Sequence, residues 1–435
     1  MSRAARWFAL LLPPAALHLV ATTQELAGPV NHDDEMAWVA NSYYGELAFS
    51  GDFGNPDWQL LPAKDSPPLG KYAFALALRM IDRPIRSIEP LAAWYGLYRD
   101  QPGAWGTGEA YERRRAIAER INPARIPSVR SRAYRPIGDD QLLACRRVAR
   151  IGGMLAALGV ASVGLAIRGP ATGLIAGLAF AVHPITIPVS LVALFDTMAV
   201  AWSILAIRLL MATVEAVGWR RSVLAIGLGL SMAAAVGTKM NALIVAAATG
   251  STALFLAGRA LRKEQKPAIA LALSISMAIA LAAFVAVNPA LHPDIVGGLA
   301  DLFRLPAETT RVQAGFLDGF LGTFGEKFGA VGALLVGFRA GSWPLLGIGV
   351  ISTLAAIADR AKPGRWIVVG WFWSSLVLVV AWIPFPWSRY ALPVVPAACL
   401  IAADSLAALA GRVGRLRPSA SPSQPEGGSA TMSGR

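Results

Sequence analysis

Three consecutive carboxylates, Asp33, Asp34 and Glu35, directly precede an apolar segment that begins at Met36. A carboxylate at the start of a helix accepts hydrogen bonds from free backbone amides, so helix capping is one explanation of this cluster. Because successive residues of a helix face different directions, one carboxylate can cap while a neighbour points into a cavity. A carboxylate in that position can act as a general base that takes a proton from a hydroxyl or an amine. Both interpretations stay open on the local sequence.

A second polar motif is Ser66-Pro67-Pro68-Leu69-Gly70-Lys71. The two prolines fix the direction in which the chain enters a helix, and Lys71 falls in the first turn of that helix. A lysine beside the unpaired backbone N–H groups of a helix N-terminus can bind phosphate. The alternative is an ordinary proline-led helix start, with a lysine that extends its ammonium group to water.

A third group of charged residues lies near the ends of apolar runs and consists of Arg146, Arg147, Asp196, Lys239 and Arg389. Charges near membrane depth are costly and are usually paired or functional. Interface anchoring of an arginine and a structural ion pair of Asp196 are the simpler explanations. On the topology that the apolar runs predict, all five share one membrane face with the acidic cluster, and this convergence favours a single polar site.

The composition decides the class of protein that must position these residues. The chain has 435 residues, of which 55% are hydrophobic and only 15% charged. Its longest apolar runs approach the roughly 20 residues that a helix needs to cross a bilayer core. We therefore predict an all-α polytopic membrane protein with about ten transmembrane helices. The runs are 7–27, 142–167, 171–188, 189–211, 223–261, 267–287, 343–358, 366–383 and 390–410, and the fifth is read as a tight hairpin of two short helices broken at 237–241.

Charge asymmetry orients these helices. The short connections that carry basic residues all fall on the side of the N-terminus, which the positive-inside rule makes cytoplasmic. This predicts cytoplasmic N- and C-termini in the inner (plasma) membrane. The net charge of +13 then fits contact with anionic lipid headgroups rather than with nucleic acid. A cleaved signal peptide over residues 1–27 is the alternative for the first run, and it leaves the next loop extracytoplasmic as well.

The same pattern divides the chain into a transmembrane domain over 1–411 and a tail over 412–435. The tail is rich in Ser, Pro and Gly, so we expect it to be disordered. Extracytoplasmic loops are predicted at 28–141 and 288–342. Within the first loop we predict helices over 36–49, 69–81 and 108–121, the second of them lying in the membrane interface.

Several other classes of site lack their sequence signatures. There is no P-loop, no dinucleotide-binding glycine fingerprint and no serine nucleophile elbow. The two cysteines, Cys145 and Cys399, exclude a disulfide framework. The histidines show no metal-ligand spacing and are His18, His32, His183 and His292. We expect no cofactor; a divalent ion between Asp33 and Asp34 is the alternative that is not favoured.

The order of these motifs resembles the GT-C superfamily of integral-membrane glycosyltransferases, especially its protein O-mannosyltransferase and aminoarabinose-transferase branch, which depends on a phospholipid carrier. The resemblance extends to about Ala410. Its matching pieces are Asp34-Glu35, Pro67-Pro68-Leu69-Gly70-Lys71, Arg146, Asp196, Gly237-Thr238-Lys239, Asn288-Pro289 and Arg389-Tyr390-Ala391-Leu392-Pro393. The chain departs from the mannosyltransferase pattern at Ser66, where a histidine commonly precedes Pro-Pro, and in the extra acid Asp33. These departures leave the sugar undecided.

The resemblance implies a sugar donor linked to a polyprenyl phosphate and transfer with inversion to a protein, lipid or glycan acceptor. It implies that Asp34 is the general base and that Glu35 supports it or positions the acceptor; the extra acid Asp33 leaves open which of Asp33 and Asp34 is the base. The residues expected to bind the donor phosphate are Lys71, Arg146, Lys239 and Arg389. The residues expected to support the site or contact substrate are Pro67, Pro68, His183, Asp196 and Tyr390.

Two other functions compete with a transferase. A transporter or lipid flippase would also keep charges in its helices, but it usually places its site near the bilayer midplane on repeated, broken helices. No inverted repeat is evident here, and the charges lie at one membrane face. An inactive GT-C-like scaffold subunit is the second alternative, against which the retained Asp34, Lys71 and Arg389 count.

Overall fold

The computed structural model describes residues 3–23, 34–100, 109–123, 137–259, 263–315, 319–337, 342–358 and 363–416. Every regular element within these residues is a helix, so the all-α fold class is confirmed. The α-helices are α1 (Arg3–Ala21), α2 (Asp34–Ala40), α3 (Tyr43–Phe49), α4 (Leu61–Lys64), α5 (Leu69–Met80), α6 (Glu89–Asp100), α7 (Glu109–Ile121), α8 (Asp139–Ile167), α9 (Pro170–Ala181), α10 (Thr186–Ser190), α11 (Asp196–Glu215), α12 (Trp219–Thr238), α13 (Leu243–Arg259), α14 (Lys266–Ala286), α15 (Ile295–Ala314), α16 (Phe324–Val336), α17 (Ser342–Ala358), α18 (Pro363–Trp382), α19 (Ser388–Ala391) and α20 (Val395–Leu416). Short 3-10 helices lie at Pro56–Gln59, Met240–Ala242, Lys263–Gln265 and Pro289–Leu291.

Five helices of the described chain are long and apolar enough to cross a membrane, namely α8, α11, α12, α14 and α18. Their mean hydropathy lies between 1.4 and 2.5. Shorter apolar stretches occur in α1, α9, α17 and α20. A polytopic membrane protein is therefore confirmed, whereas the count of about ten spans stays a prediction, as does the side of the membrane on which each terminus lies.

The apolar helices pack side by side around α11, which contacts α8 on one side and α12 on the other, while α12 also contacts α14. Their contact faces are rich in small residues, including Ala156, Ala157, Ala176 and Ala206, all of which are buried. Small residues let helix backbones approach closely, which is the main source of packing energy between helices in lipid.

Two of the three helices predicted in the first loop are confirmed, and the other is divided. The stretch 36–49 forms two helices, α2 and α3, rather than one. The Asn41 amide donates to the Ala37 carbonyl at 2.8 Å, and such local bonds compete with a continuous helix. Helices α5 and α7 match their predicted ranges to within one residue, whereas α6 was not predicted.

The long run 223–261 breaks at Lys239, as predicted. Lys239 is extended, with φ −158° and ψ 134°, and separates α12 from α13. The two helices have 20 and 17 residues, so the expectation of two short helices was wrong. They do not form a tight hairpin either, because α13 packs mainly against α18.

Other boundaries also differ from the predicted runs. The run 189–211 was expected to contain Asp196 within a helix, but α11 begins at that residue. Helix α20 continues past residue 411 to Leu416. Residues 417–435 of the predicted tail lie outside the described chain, as does Asp33.

Candidate active site

Two ion pairs lie next to each other where α2, α11, α12 and α19 meet. Arg389 Nη1 donates to Asp34 Oδ2 at 2.9 Å. Lys239 Nζ donates to Asp196 Oδ2 at 2.5 Å, and Asn241 Nδ2 lies 3.5 Å from the other oxygen of that carboxylate. We call Asp34, Asp196, Lys239 and Arg389 the ionic cluster.

Each member of the ionic cluster lies at the end of a helix or in a short connecting helix. Asp34 and Asp196 are the first residues of α2 and α11, Lys239 follows the last residue of α12, and Arg389 lies in α19. A carboxylate at a helix N-terminus is stabilised by the positive end of the helix dipole. The fold thus collects, at one place, four charges that come from distant parts of the sequence.

The two pairs are close enough to influence each other. Burial lowers the pKa of Lys239 below its usual range, an effect that Asp196 opposes and that Arg389 strengthens. Burial also disfavours the charged form of Arg389, but Asp34 and Asp196 outweigh this and raise its pKa. The two carboxylates therefore hold Arg389 charged and offset part of the cost of burying Lys239.

Aromatic rings surround the two cations. The Arg389 guanidinium lies 4.7 Å from the ring centroid of Trp387 and 5.4 Å from that of Tyr390. Lys239 Nζ lies 5.7 Å from the ring centroid of Trp38. These distances fall within the range of cation–π attraction. The rings fix the positions of the cations without neutralising them.

Part of the ionic cluster is accessible. The Asp34 side chain is 30% exposed and its partner Arg389 is 10% exposed, whereas Asp196 is 1% exposed. Arg389 Nε and Trp38 Nε1 are buried and have no hydrogen-bond partner among the described residues. A buried donor without a partner costs about 1–3 kcal/mol.

A third ion pair, Glu35–Arg146, lies next to the ionic cluster but is inaccessible to solvent, and we call it the closed pair. Arg146 Nε and Nη2 donate to the two oxygens of Glu35 at 2.9 and 2.8 Å. Glu35 Oε1 also accepts from the Ala193 amide at 2.7 Å. The two side chains are 0% and 1% exposed. This pair joins α2 to α8 and to the segment that precedes α11.

This arrangement of helices is similar to that in several solved structures. The archaeal oligosaccharyltransferase AglB from Archaeoglobus fulgidus, in complex with an inhibitory peptide and a dolichol-phosphate, matches with a TM-score of 0.57 and 12% identity over 95% of this chain and 51% of AglB. ArnT from Cupriavidus metallidurans bound to undecaprenyl phosphate matches with a TM-score of 0.55 and 17% identity over 95% of this chain and 62% of ArnT. Both neighbours are GT-C superfamily membrane glycosyltransferases.

The chain has the GT-C fold. No protein-family model matches the sequence, and no curated protein does either. The chain spans about half of the length of AglB and 62% of that of ArnT. A further structure of the Archaeoglobus fulgidus oligosaccharyltransferase, a complex with Zn and sulfate, matches with a TM-score of 0.56 and 11% identity over 93% of this chain and 50% of that one.

On this GT-C fold, the Lys71 side chain is enclosed by protein and does not reach the ionic cluster or solvent. Its ammonium group donates to the Pro62 carbonyl at 2.5 Å, is 3.5 Å from the Ala63 carbonyl and lies 5.0 Å from the ring centroid of Tyr44. The side chain is fully buried. Burial lowers the pKa of Lys71 to about 8, against a smaller opposing effect of Asp65. In this position the ammonium group holds the short helix α4 against α5.

The rest of the proline motif packs beneath the ionic cluster. Pro67 and Pro68 are buried and lead into α5. A Cβ atom at Gly70 would lie 2.4 Å from the Phe195 ring, which immediately precedes Asp196. A Cβ atom at Gly237 would lie 2.9 Å from Leu69. Both glycines therefore permit close approach, and the motif supports the segments that carry Asp196 and Lys239.

The remaining residues predicted for the site have different placements. Tyr390 lies beside Arg389 and stacks on Trp387, with ring centroids 5.4 Å apart. His183 accepts from the Ile185 amide at 3.2 Å, and its Nε2 atom lies 3.3 Å from the Leu335 carbonyl, so it joins the turn after α9 to α16.

Three residues of the site were not predicted, namely Trp38, Trp387 and Asn241. Trp38 follows Asp34 by four residues, a spacing that places both on one face of a helix, and this signal was available in the sequence. Trp387 was assigned only to an interfacial belt. The contact of Asn241 with Asp196 depends on the break at Lys239 and has no local signature.

A metal site is not evident in the described part of the chain. No group of three or more His, Cys, Asp or Glu side chains there is arranged to hold an ion. Asp33 lies outside the described residues. A divalent ion between Asp33 and Asp34 is therefore neither supported nor tested.

Proposed function

We propose that this chain is a glycosyltransferase that moves a sugar from a polyprenyl-phosphate-linked donor to a hydroxyl or amine acceptor at the extracytoplasmic face of the inner membrane. The observation that carries the proposal is the accessible Asp34–Arg389 pair beside Lys239, a carboxylate base next to two cations that suit a phosphate. The GT-C fold supports it, because two neighbours were solved with dolichol-phosphate or undecaprenyl phosphate bound.

In the proposed reaction the Asp34 carboxylate takes a proton from the acceptor hydroxyl or amine. The acceptor atom then attacks the anomeric carbon of the donor sugar. The bond between that carbon and the phosphate oxygen breaks, and its electron pair leaves with the polyprenyl phosphate. Because attack and departure occur on opposite sides of the carbon, its configuration is inverted.

Arg389 suits the leaving phosphate because a guanidinium has five N–H donors in a planar fork. Its bond to Asp34 uses Nη1, and its buried Nε has no partner among the described residues. The group can therefore orient the base and bind a phosphate oxygen together. Lys239 adds a second positive charge, which Asp196 keeps in place. Cations aimed at developing charge each contribute about 10²–10³ to a rate.

Glu35, Arg146 and Lys71 have positioning roles in this proposal. Their charged groups already bind partners within the protein, Glu35 and Arg146 each other and Lys71 the Pro62 carbonyl. A phosphate would have to displace these bonds in a buried environment, which is costly. The donor phosphate is therefore assigned to Arg389 and Lys239.

The test uses the purified full chain in lipid bilayers with a panel of polyprenyl-phosphate-linked sugars and a crude membrane extract as acceptor source. We expect release of free polyprenyl phosphate from one class of donor and a product whose anomeric configuration, read by NMR, is inverted. Lys239→Met should reduce release by about 10²-fold or more. The matched control Arg220→Met, which removes an exposed cation, should leave release unchanged.

Two results would count against the proposal. No release from any donor would favour a transporter, a lipid flippase or an inactive scaffold. Release with retention of configuration would keep the transferase but exclude a single displacement with Asp34 as base.

A further inference from the structure

A cavity of about 470 Å³ lies between α1, α8 and α11. Its described lining is apolar almost throughout and includes Leu11, Leu155, Trp202 and Leu205. Arg208 is the one charged residue among the described residues that line it. We call this cavity the Arg208 groove.

The Arg208 groove is separate from the ionic cluster. Met198, Leu205 and Arg208 belong to the face of α11 that lines the groove. Asp196 points about 200° away from Met198 around the helix axis, towards Lys239. Arg208 is twelve residues beyond Asp196, or about 18 Å along the helix. The groove therefore approaches the bilayer leaflet opposite the ionic cluster.

Arg208 has no partner in the described protein. Neither a hydrogen bond nor an ion pair joins its guanidinium to any described residue, and the side chain is half-buried. It lies seven residues before Glu215, about 10 Å from the end of α11. The Cα–Cβ bond of a helical residue tilts towards the helix N-terminus, which for Arg208 is the side of Leu205, and both residues line the groove.

A charged arginine at this depth is costly unless an anion accompanies it. The groove extends from Arg208 to Met198, about 15 Å along α11, which is half of the roughly 30 Å hydrocarbon core. An acyl chain of one leaflet fills that depth. The ligand must therefore combine one negative charge with one apolar chain.

We propose that the Arg208 groove binds an anionic glycerophospholipid of the leaflet opposite the ionic cluster. The lipid phosphate binds the Arg208 guanidinium, and one acyl chain lies along Leu205, Trp202 and Leu155. Arginine within a membrane draws phosphate and water inward by local thinning of the bilayer, which lets a headgroup reach this depth. The site is structural or regulatory and takes no part in sugar transfer.

The test measures lipid binding to the delipidated full chain in detergent by native mass spectrometry, with phosphatidylglycerol and phosphatidylcholine of identical acyl chains as probes. We expect one phosphatidylglycerol to bind about tenfold more tightly than phosphatidylcholine, because both carry the phosphodiester but the quaternary ammonium of phosphatidylcholine offsets its charge beside Arg208. Arg208→Gln should abolish this preference, and Arg208→Lys should restore much of it. Leu155→Trp, which fills the groove, should weaken the binding of both lipids.

The matched control is Arg220→Gln, which removes an exposed cation from the start of α12 and should leave the preference intact. Equal binding of the two lipids by the wild type, or a preference that survives in Arg208→Gln, would overturn the proposal. Displacement of phosphatidylglycerol by an equal concentration of farnesyl phosphate would also overturn it, because the groove would then prefer an isoprenyl phosphate. Sugar transfer is a separate readout, so either proposal can fail alone.

Discussion

Asp34 and Glu35 are neighbours in the sequence, and each binds an arginine, yet the two pairs differ in their surroundings. Glu35 and Arg146 are completely buried, and Glu35 also accepts from the Ala193 amide. The Asp34 side chain is 30% exposed, and its partner Arg389 keeps a donor without a described partner. A carboxylate and a guanidinium therefore form a buried structural contact at Glu35–Arg146 and an accessible site at Asp34–Arg389, which we call the open pair.

The difference shows what an ion pair needs in order to do chemistry. A buried carboxylate whose oxygens are all occupied cannot exchange its partners without a large desolvation cost. A carboxylate at the edge of a cavity can accept a proton, and an arginine beside it can add a phosphate to its partners. Accessibility, rather than charge or residue type, separates Asp34 from Glu35.

The largest expected effect is on stability, at the closed pair. Arg146→Met leaves Glu35 buried without its partner and should lower the free energy of unfolding by about 3–5 kcal/mol. Denaturant unfolding in detergent measures this. Arg147→Met, at the exposed neighbouring position, should change it by less than about 0.5 kcal/mol. The double variant Glu35→Met/Arg146→Met should recover much of the loss; an additive loss would show that the pair is not the cause.

The next effect is on turnover, at the open pair. Arg389→Gln removes the cation proposed to bind the leaving phosphate and should reduce turnover by about 10²–10³-fold, with less change in stability than Arg146→Met. Arg389→Lys keeps the positive charge but lacks the planar fork, so its turnover should lie between those of the wild type and Arg389→Gln. Turnover of Arg389→Gln within about threefold of wild type would remove Arg389 from the phosphate site.

Lys71 should show itself in the pH dependence of stability. Its pKa is about 8 in the folded protein because burial disfavours the ammonium form, whereas the pKa of an exposed lysine is 10.5. Between these values the unfolded chain binds the extra proton, so stability rises with pH. Relative to Lys71→Met, the wild type should gain roughly 3 kcal/mol from about pH 8 to about pH 10.5.

The measurement for Lys71 is denaturant unfolding at several pH values with both proteins. Parallel stability curves would contradict the buried, backbone-bound placement. Turnover per folded molecule gives the second readout, since Lys71→Met should retain most of it. A loss of turnover as large as that expected for Arg389→Gln would instead indicate that Lys71 binds the donor phosphate.

The smallest expected effect is at Tyr390. Tyr390→Phe keeps the ring that stacks on Trp387 and lies near the Arg389 guanidinium. It removes only a hydroxyl, a group worth about 0.5–1.5 kcal/mol, so turnover should fall by no more than about tenfold. Tyr390→Leu, which also removes the aromatic face, should cost more. Equal effects of the two changes would show that the ring does not support Arg389.

The sequence supported the GT-C fold and the convergence of Asp34, Asp196, Lys239 and Arg389, because helix ends on one face of a membrane can be derived from hydropathy and basic loops. The sequence could not show that Lys71 and Arg146 bind partners within the protein whereas Arg389 lies at an accessible site. Whether a cation faces a cavity or a protein acceptor depends on tertiary packing, which local patterns do not record. The unpartnered Arg208 was missed for the same reason.

The most direct test compares Asp34→Asn with Glu35→Gln, two minimal changes at adjacent positions. Turnover per folded molecule and the free energy of unfolding are measured for both. Asp34→Asn should lose about 10²–10⁴-fold in turnover and change stability by less than about 1 kcal/mol. Glu35→Gln should lose several kcal/mol of stability and keep turnover within about tenfold. The opposite pattern, an active Asp34→Asn and a stable but inactive Glu35→Gln, would contradict the assignment of Asp34 as the base.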